Sequence, residues 1–138
     1  MQLPLTKPQK KFVMSKARFP AIIGGLGSGK TKAGIVRLIL LMLQDQGTSA
    51  AYYMPTYDLL KLRAFAGIEE ELRKLNRPFE SNRADFSIKV IGYGTIILRS
   101  YDNPERIVAY EVAHSIVDEL DTLPRVKAEL VWRKITER

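Results

Sequence analysis

The chain has 138 residues, of which 46% are hydrophobic and 27% charged. That is enough for one globular domain with a usable core and short for two. It has no cysteine, which excludes disulfide and cysteine–zinc frameworks, and its longest apolar run, Leu38 to Leu43, is far too short to span a bilayer. The net charge of +7 suits a polyanionic partner, because lysine and arginine displace counterions from phosphates, and equally suits solubility alone.

Lys7, Lys10, Lys11, Lys16 and Arg18 gather charge at the start of the chain. Met1 to Lys11 lacks the apolar stretch of a signal peptide, so the expectation is a soluble intracellular protein. Pro4 and Pro8 precede a short predicted helix, Gln9 to Lys16. Phe19 to Ile23 is a short apolar run ending in glycines and reads as a buried strand. Lys30 to Gln44 has a helical pattern with little polar surface and should be largely covered. After the polar break around Gly47, Ala50 to Met54 is a second predicted strand, closed by Pro55. Tyr57 to Leu75 reads as a long amphipathic helix, with Leu59, Leu60, Leu62, Ile68 and Leu72 roughly on one stripe.

The period then changes. Phe86, Ile88 and Val90 alternate with Ser87 and Lys89, as a half-exposed strand requires. Gly92-Tyr93-Gly94 signals a turn, and Thr95 to Arg99 completes a hairpin. Glu105 to Tyr110 is a short predicted helix, His114 to Val117 a strand ending in Asp118-Glu119, and Pro124 to Arg138 a basic helix. Strands alternating with helices predict an α/β layered fold with a mainly parallel sheet flanked by helices.

Chemistry concentrates in Gly24-Gly25-Leu26-Gly27-Ser28-Gly29-Lys30-Thr31, which fits the phosphate-loop pattern G-x-x-x-x-G-K-[ST]. Glycines let the backbone curl so that several N–H groups converge on phosphate. The helix that follows adds its free N-terminal N–H groups and positive dipole end. Lys30 should reach the β- and γ-phosphates of ATP, and the Thr31 hydroxyl should ligate Mg²⁺. The predicted strand before the loop and helix after it supply the context the motif needs.

A second site follows from Ile116-Val117-Asp118-Glu119, an apolar strand ending in two acids. In an open α/β sheet such a strand end shares the carboxyl edge where ligands bind. Asp118 would hold Mg²⁺, mostly through its water, and Glu119 would orient or deprotonate an attacking water. No N-K-x-D guanine signature is present. His114, the only histidine, and Trp132, the only tryptophan, read as packing residues.

These segments together resemble the large terminase subunit of tailed bacteriophages, the motor that packages DNA into capsids. Pro8-Gln9 resembles an adenine-reading glutamine motif, Ile23 to Thr31 the family's phosphate loop, and Met54-Pro55-Thr56-Tyr57 the turn after its second strand. Asn103-Pro104-Glu105-Arg106, then Tyr110-Glu111 and Ile116 to Asp121, resemble the segment entering its acidic motif. The resemblance implies a P-loop ATPase fold of the RecA/ASCE kind over residues 1–138. It implies ATP and Mg²⁺ as cofactors, with Gln9 on adenine and Gly24, Gly25, Leu26, Gly27, Ser28, Gly29, Lys30 and Thr31 on the phosphates. It implies Thr31 and Asp118 on the metal, Glu119 and Lys30 in catalysis, and Arg106 as an arginine finger given to a neighbouring subunit. The implied partners are double-stranded DNA, further terminase subunits in a homo-oligomeric ring, the small terminase subunit and the portal, with no membrane, in the cytoplasm of an infected host.

The sequence departs from the family's pattern at Arg138, before the strand with the Ser/Thr coupling motif and before the nuclease domain. The missing strand lies between the phosphate-loop strand and the acidic strand in the family's sheet, so a truncated domain with a gap or rearranged sheet is expected. Two other readings stand beside the motor. Asp118-Glu119-Leu120-Asp121 fits the D-E-x-D pattern of helicase-like ATPases, and a non-catalytic nucleotide- or DNA-binding fragment would use the basic helix.

Overall fold

Local capping chemistry starts the first element. The computed structural model describes residues 5–23, 29–101 and 112–136. Helix α1 (Lys7–Val13) begins at Thr6, whose hydroxyl accepts from the Gln9 amide while the Gln9 side chain accepts from the Thr6 amide. This reciprocal cap satisfies two of the four orphan donors of the helix start, and Pro8 sits where no N–H is missed. The helix ends earlier than the predicted Lys16. Arg37 takes over there, donating to the carbonyls of Phe12, Val13 and Ser15.

Helix α2 (Lys30–Gln44) matches its predicted bounds. Ala33, Ile35, Val36, Leu38, Ile39 and Met42 are all buried along it. That span of positions covers more than one face, and two neighbours account for it. The sheet covers Ile35, Leu38, Ile39 and Met42, and α1 covers Ala33 and Val36.

Strand β1 (Ala50–Met54) is buried at every position, as a central strand between two helical layers must be. Thr56 then caps the next helix by accepting from the Leu59 amide at 3.2 Å. The predicted helix Tyr57 to Leu75 is one helical run in three parts: α3 (Tyr57–Leu59), a π-helical turn (Leu60–Phe65) and α4 (Ala66–Lys74). Leu60, Ala64, Ile68 and Leu72 form its buried stripe at i+4 spacing. Leu62 faces outward at 74% exposure, correcting its expected place on the stripe, because two residues is about half a turn.

Strands β2 (Phe79–Asn82), β3 (Ser87–Val90), β4 (Gly94–Ser100) and β5 (His114–Val117) complete a sheet of order β2-β3-β4-β1-β5. β1 pairs in parallel with β4 and β5, while β3 is antiparallel to both β2 and β4. Four strands therefore run one way and β3 alone runs against them. The β3–β4 hairpin is as predicted. β2 was not expected; its Phe-Glu-Ser-Asn sequence is an exposed edge without apolar alternation. Helix α5 (Arg125–Thr136) covers the second face of the sheet through Val131 and Ile135, which pack with Ala51, Tyr53, Ile97 and Tyr101. The result is a three-layer α/β/α arrangement.

One strand expectation fails. Phe19 to Ile23 has no strand pairing, and Phe19 and Ile23 are 54% and 96% exposed. A strand needs a ladder partner, and the outer edge of β5 is separated from this segment by a cleft of about 1190 Å³ lined by both. Ile22 alone of the run packs inward, beside Val13, Ala33 and Val36. The predicted helix Glu105 to Tyr110 lies outside the described residues.

Candidate functional site

Two segments far apart in sequence meet at the carboxyl edge of the sheet. Gly29, with φ of +80°, turns the chain into α2, a conformation glycine adopts without the penalty of a side chain. Lys30 and Thr31 are the first two residues of α2. The Thr31 hydroxyl donates to Asp118 Oδ2 at 2.8 Å across 87 residues of sequence. Asp118 directly follows β5, as a residue at a ligand-binding strand end should. Thr31 and Asp118, 87 residues apart, are thus brought together by a hydrogen bond. Gly24, Gly25, Leu26, Gly27 and Ser28 lie outside the described residues, as does Arg106.

Asp118 is held at its amide, its carbonyl and one carboxylate oxygen. Its amide donates to the Tyr53 carbonyl at 2.9 Å, and its own carbonyl accepts from the Tyr101 hydroxyl at 2.8 Å. Its Oδ2 accepts a second hydroxyl, that of Tyr52, at 2.7 Å. Burial, then the neighbouring Asp118 charge, pushes the Tyr52 phenol well above its ordinary pKa. Tyr101 is raised by the same two causes in the same order. Both phenols therefore remain protonated donors. The sequence reading missed both tyrosines. Tyr52 and Tyr53 alternate along β1, which says only that their rings face opposite sides of the sheet.

Glu119 adopts a left-handed backbone, φ 56° and ψ 33°, which costs a non-glycine residue roughly 1–2 kcal/mol. Such conformations gather at functional sites. Its carboxylate pairs with Arg63 of the π-helical turn at 3.1 Å. Arg63 was not singled out in the sequence, because nothing in a helical stretch between Leu62 and Ala64 marks it as facing another segment.

Gln9 is buried at 6% exposure, and its amide is engaged at both ends. Oε1 accepts from the Thr6 amide, and Nε2 donates to the Gly29 carbonyl at 3.0 Å. A side chain at position 29 would collide with that same Nε2. Gln9 therefore braces Gly29 at the start of α2. One N–H of the amide nitrogen is left over from these two bonds. Thr56 serves as a helix cap, and Trp132 stacks edge-on against Phe19 at 5.5 Å. His114 pairs with Asp45 at 3.0 Å, fixing the start of β5 to the end of α2.

The donor set at the strand end is one hydroxyl and one carboxylate, both hard oxygens. That fits Mg²⁺, which is ordinarily held by one or two protein oxygens with water and substrate phosphates completing its octahedron. Among the described residues no cluster of three or more His, Cys, Asp or Glu could hold a metal, and no helix is long and apolar enough to cross a membrane.

No protein-family model matches the chain, and no curated protein matches it. Solved structures do. The large terminase of a thermophilic bacteriophage matches with a TM-score of 0.75 at 17% identity, over 97% of this chain and 37% of that one. The large terminase ATPase domain of Thermus phage P74-26 matches with a TM-score of 0.78 at 19% identity, over 97% of this chain and 61% of that one. A thermophilic phage large terminase in complex with ATP-gamma-S matches with a TM-score of 0.72 at 16% identity, over 96% of this chain and 35% of that one. The chain thus spans little more than a third of the full terminases and about three fifths of the isolated ATPase domain. At these identities the likeness is one of fold, and the fold of this chain is that of the ATPase domains of phage large terminases.

Proposed function

We propose that the chain is the ATP-binding and ATP-hydrolysing motor portion of a phage large terminase, powering the packaging of DNA. The observation that carries this is the 2.8 Å bond from Thr31 to Asp118. It places the last residue of a phosphate-loop pattern against the acid of a strand end, the arrangement that nucleotide–Mg²⁺ binding requires. The solved terminase with ATP-gamma-S supports the same reading by fold.

In this proposal residues 24–29 cradle the phosphates with backbone N–H groups, and Lys30 neutralises the β- and γ-phosphates. Mg²⁺ supplies charge neutralisation of the transferring phosphoryl group. Thr31 and Asp118 hold the metal. Glu119 orients a water for in-line attack on the γ-phosphorus and takes its proton; the bond to the β–γ bridging oxygen breaks, leaving ADP and phosphate. Gln9 meets the adenine with its remaining N–H. Arg106 serves as the finger lent to a neighbouring subunit of a homo-oligomeric ring. Double-stranded DNA, the small terminase subunit and the portal are the partners of that ring, in the host cytoplasm.

The test is Mg²⁺-dependent binding of a fluorescent ATP analogue. Thr31→Ala and Asp118→Asn should each weaken it by about tenfold or more, the loss expected for one charge-assisted contact. Equal Mg²⁺-dependent binding by wild type and both variants would overturn the assignment.

A further inference from the structure

Asp118 is approached from both faces of the sheet. Tyr52 belongs to the core under α2, and Tyr101 to the core under α5. Both are completely buried. They divide the labour. Tyr101 grips the main chain of Asp118, bonding to its carbonyl, whereas Tyr52 grips the carboxylate. The two hydroxyls that reach the carboxylate, Tyr52 and Thr31, fall on the same oxygen, Oδ2, so Oδ1 is the oxygen that faces neither.

A second observation concerns helix α2. Gly34 sits in the middle of α2, where glycine costs about 1 kcal/mol relative to alanine. A Cβ there would lie 3.2 Å from the Tyr52 hydroxyl and 3.1 Å from Ile116 Cγ2. The helix gives up a side chain where the phenol passes beneath it to Asp118. The phenol also lies 3.5 Å from the Thr31 carbonyl. It thus stands between the two elements that carry the metal oxygens.

The geometry points to Tyr52 as a positioning residue for the proposed Mg²⁺–nucleotide site: it fixes the Asp118 carboxylate by one oxygen so that the other is presented to the metal, with Gly34 as the clearance that lets it do so. This rests on the nucleotide-binding reading above. When Thr31 turns its hydroxyl to a metal, its bond to Oδ2 is given up, and Tyr52 is the side chain that continues to orient the carboxylate. The phenol donates one hydrogen bond and transfers no proton.

The experiment titrates Mg²⁺ against a fixed concentration of fluorescent ATP analogue bound to the 138-residue chain. It compares wild type, Tyr52→Phe, Tyr101→Phe and Gly34→Ala, with nucleotide affinity in EDTA and a thermal melt as companion readouts. Tyr52→Phe should raise the Mg²⁺ midpoint about fivefold to tenfold, as expected for loss of one hydrogen bond to a charged group, and leave affinity in EDTA within twofold. Tyr101→Phe should lower the melting temperature with a Mg²⁺ midpoint within twofold of wild type. Gly34→Ala displaces the phenol without deleting it, so it should raise the midpoint too, and it decides the matter if Tyr52→Phe does not fold. A purely structural Tyr52 would leave the Mg²⁺ midpoint unmoved in both variants whatever their melting temperatures, and that overturns the inference. Failure of the nucleotide reading looks different: wild type itself would show no Mg²⁺-dependent binding.

Discussion

Arg63 Nη1 lies 3.1 Å from Glu119 Oε1, joining the π-helical turn after β1 to the residue that follows Asp118. The arginine side chain is 52% exposed and the glutamate 26%. A pair this wet is screened by solvent and contributes under about 1 kcal/mol. Arg63→Ala should therefore leave the urea midpoint nearly unchanged. It should also leave Mg²⁺–ATP affinity unchanged, because neither side chain of the pair holds phosphate in the proposed site. A large loss of stability would show that the pair is dry in solution.

Arg37 is expected to behave in the opposite way. Its buried guanidinium donates to three carbonyls at the end of α1, at 2.9, 3.3 and 2.9 Å. Burial lowers its pKa from the usual arginine value, and the carbonyls compensate the desolvated charge. All three bonds come from Nη1, and lysine would have to bring a more strongly hydrated ammonium to that buried position. Arg37→Lys should cost about 2–3 kcal/mol in denaturant unfolding and speed amide exchange in α1, which carries Gln9 to Gly29.

Gly34→Ala and Gly94→Ala form a graded pair. Alanine at 34 gains helix propensity of about 1 kcal/mol, but it presses on Tyr52 and Ile116, which are fixed by a hydrogen bond and by strand pairing. A net loss of about 1 kcal/mol is expected. A Cβ at 94 would collide with the Thr48 carbonyl, a backbone group that cannot swing aside. Gly94→Ala should lose about 3 kcal/mol or more, and thermal melts of the two variants would order them.

Tyr52 and Tyr101 also predict how stability changes in alkali. Their folded pKa values are raised above the ordinary 10.0. The unfolded chain ionises these phenols near pH 10 and the folded chain does not, so the stabilisation is fully present below pH 10 and is lost as pH rises beyond it. The slope is about 1.4 kcal/mol per pH unit for each phenol. Unfolding free energies measured from pH 9 to 11 should fall more steeply in wild type than in Tyr52→Phe. Parallel curves would mean that Tyr52 ionises in the folded state.

Much of the architecture was legible because burial sets its period. Lys30 to Gln44, Ala50 to Met54, the β3–β4 hairpin and the strand before Asp118 all follow from apolar spacing and turn residues. Phe19 to Ile23 misled because an apolar run shows that a segment can be covered, while strand pairing depends on a neighbour that sequence does not name. β2 escaped because its residues are polar at a sheet edge. Within the site, Thr31 and Asp118 were legible from motif chemistry. Tyr52, Tyr101 and Arg63 were not, since each acts through a contact made by β-sheet register or helix packing with a residue 17 to 66 positions away.

The central claim is that residues 24–31 bind the phosphates of ATP together with Asp118. Equilibrium binding of labelled ATP with Mg²⁺ to wild type and Lys30→Ala tests it most directly. The account predicts saturable binding by wild type and a loss of about a hundredfold or more in the variant, as expected for removal of the lysine charge proposed on the phosphates. Equal binding by the two proteins would contradict it.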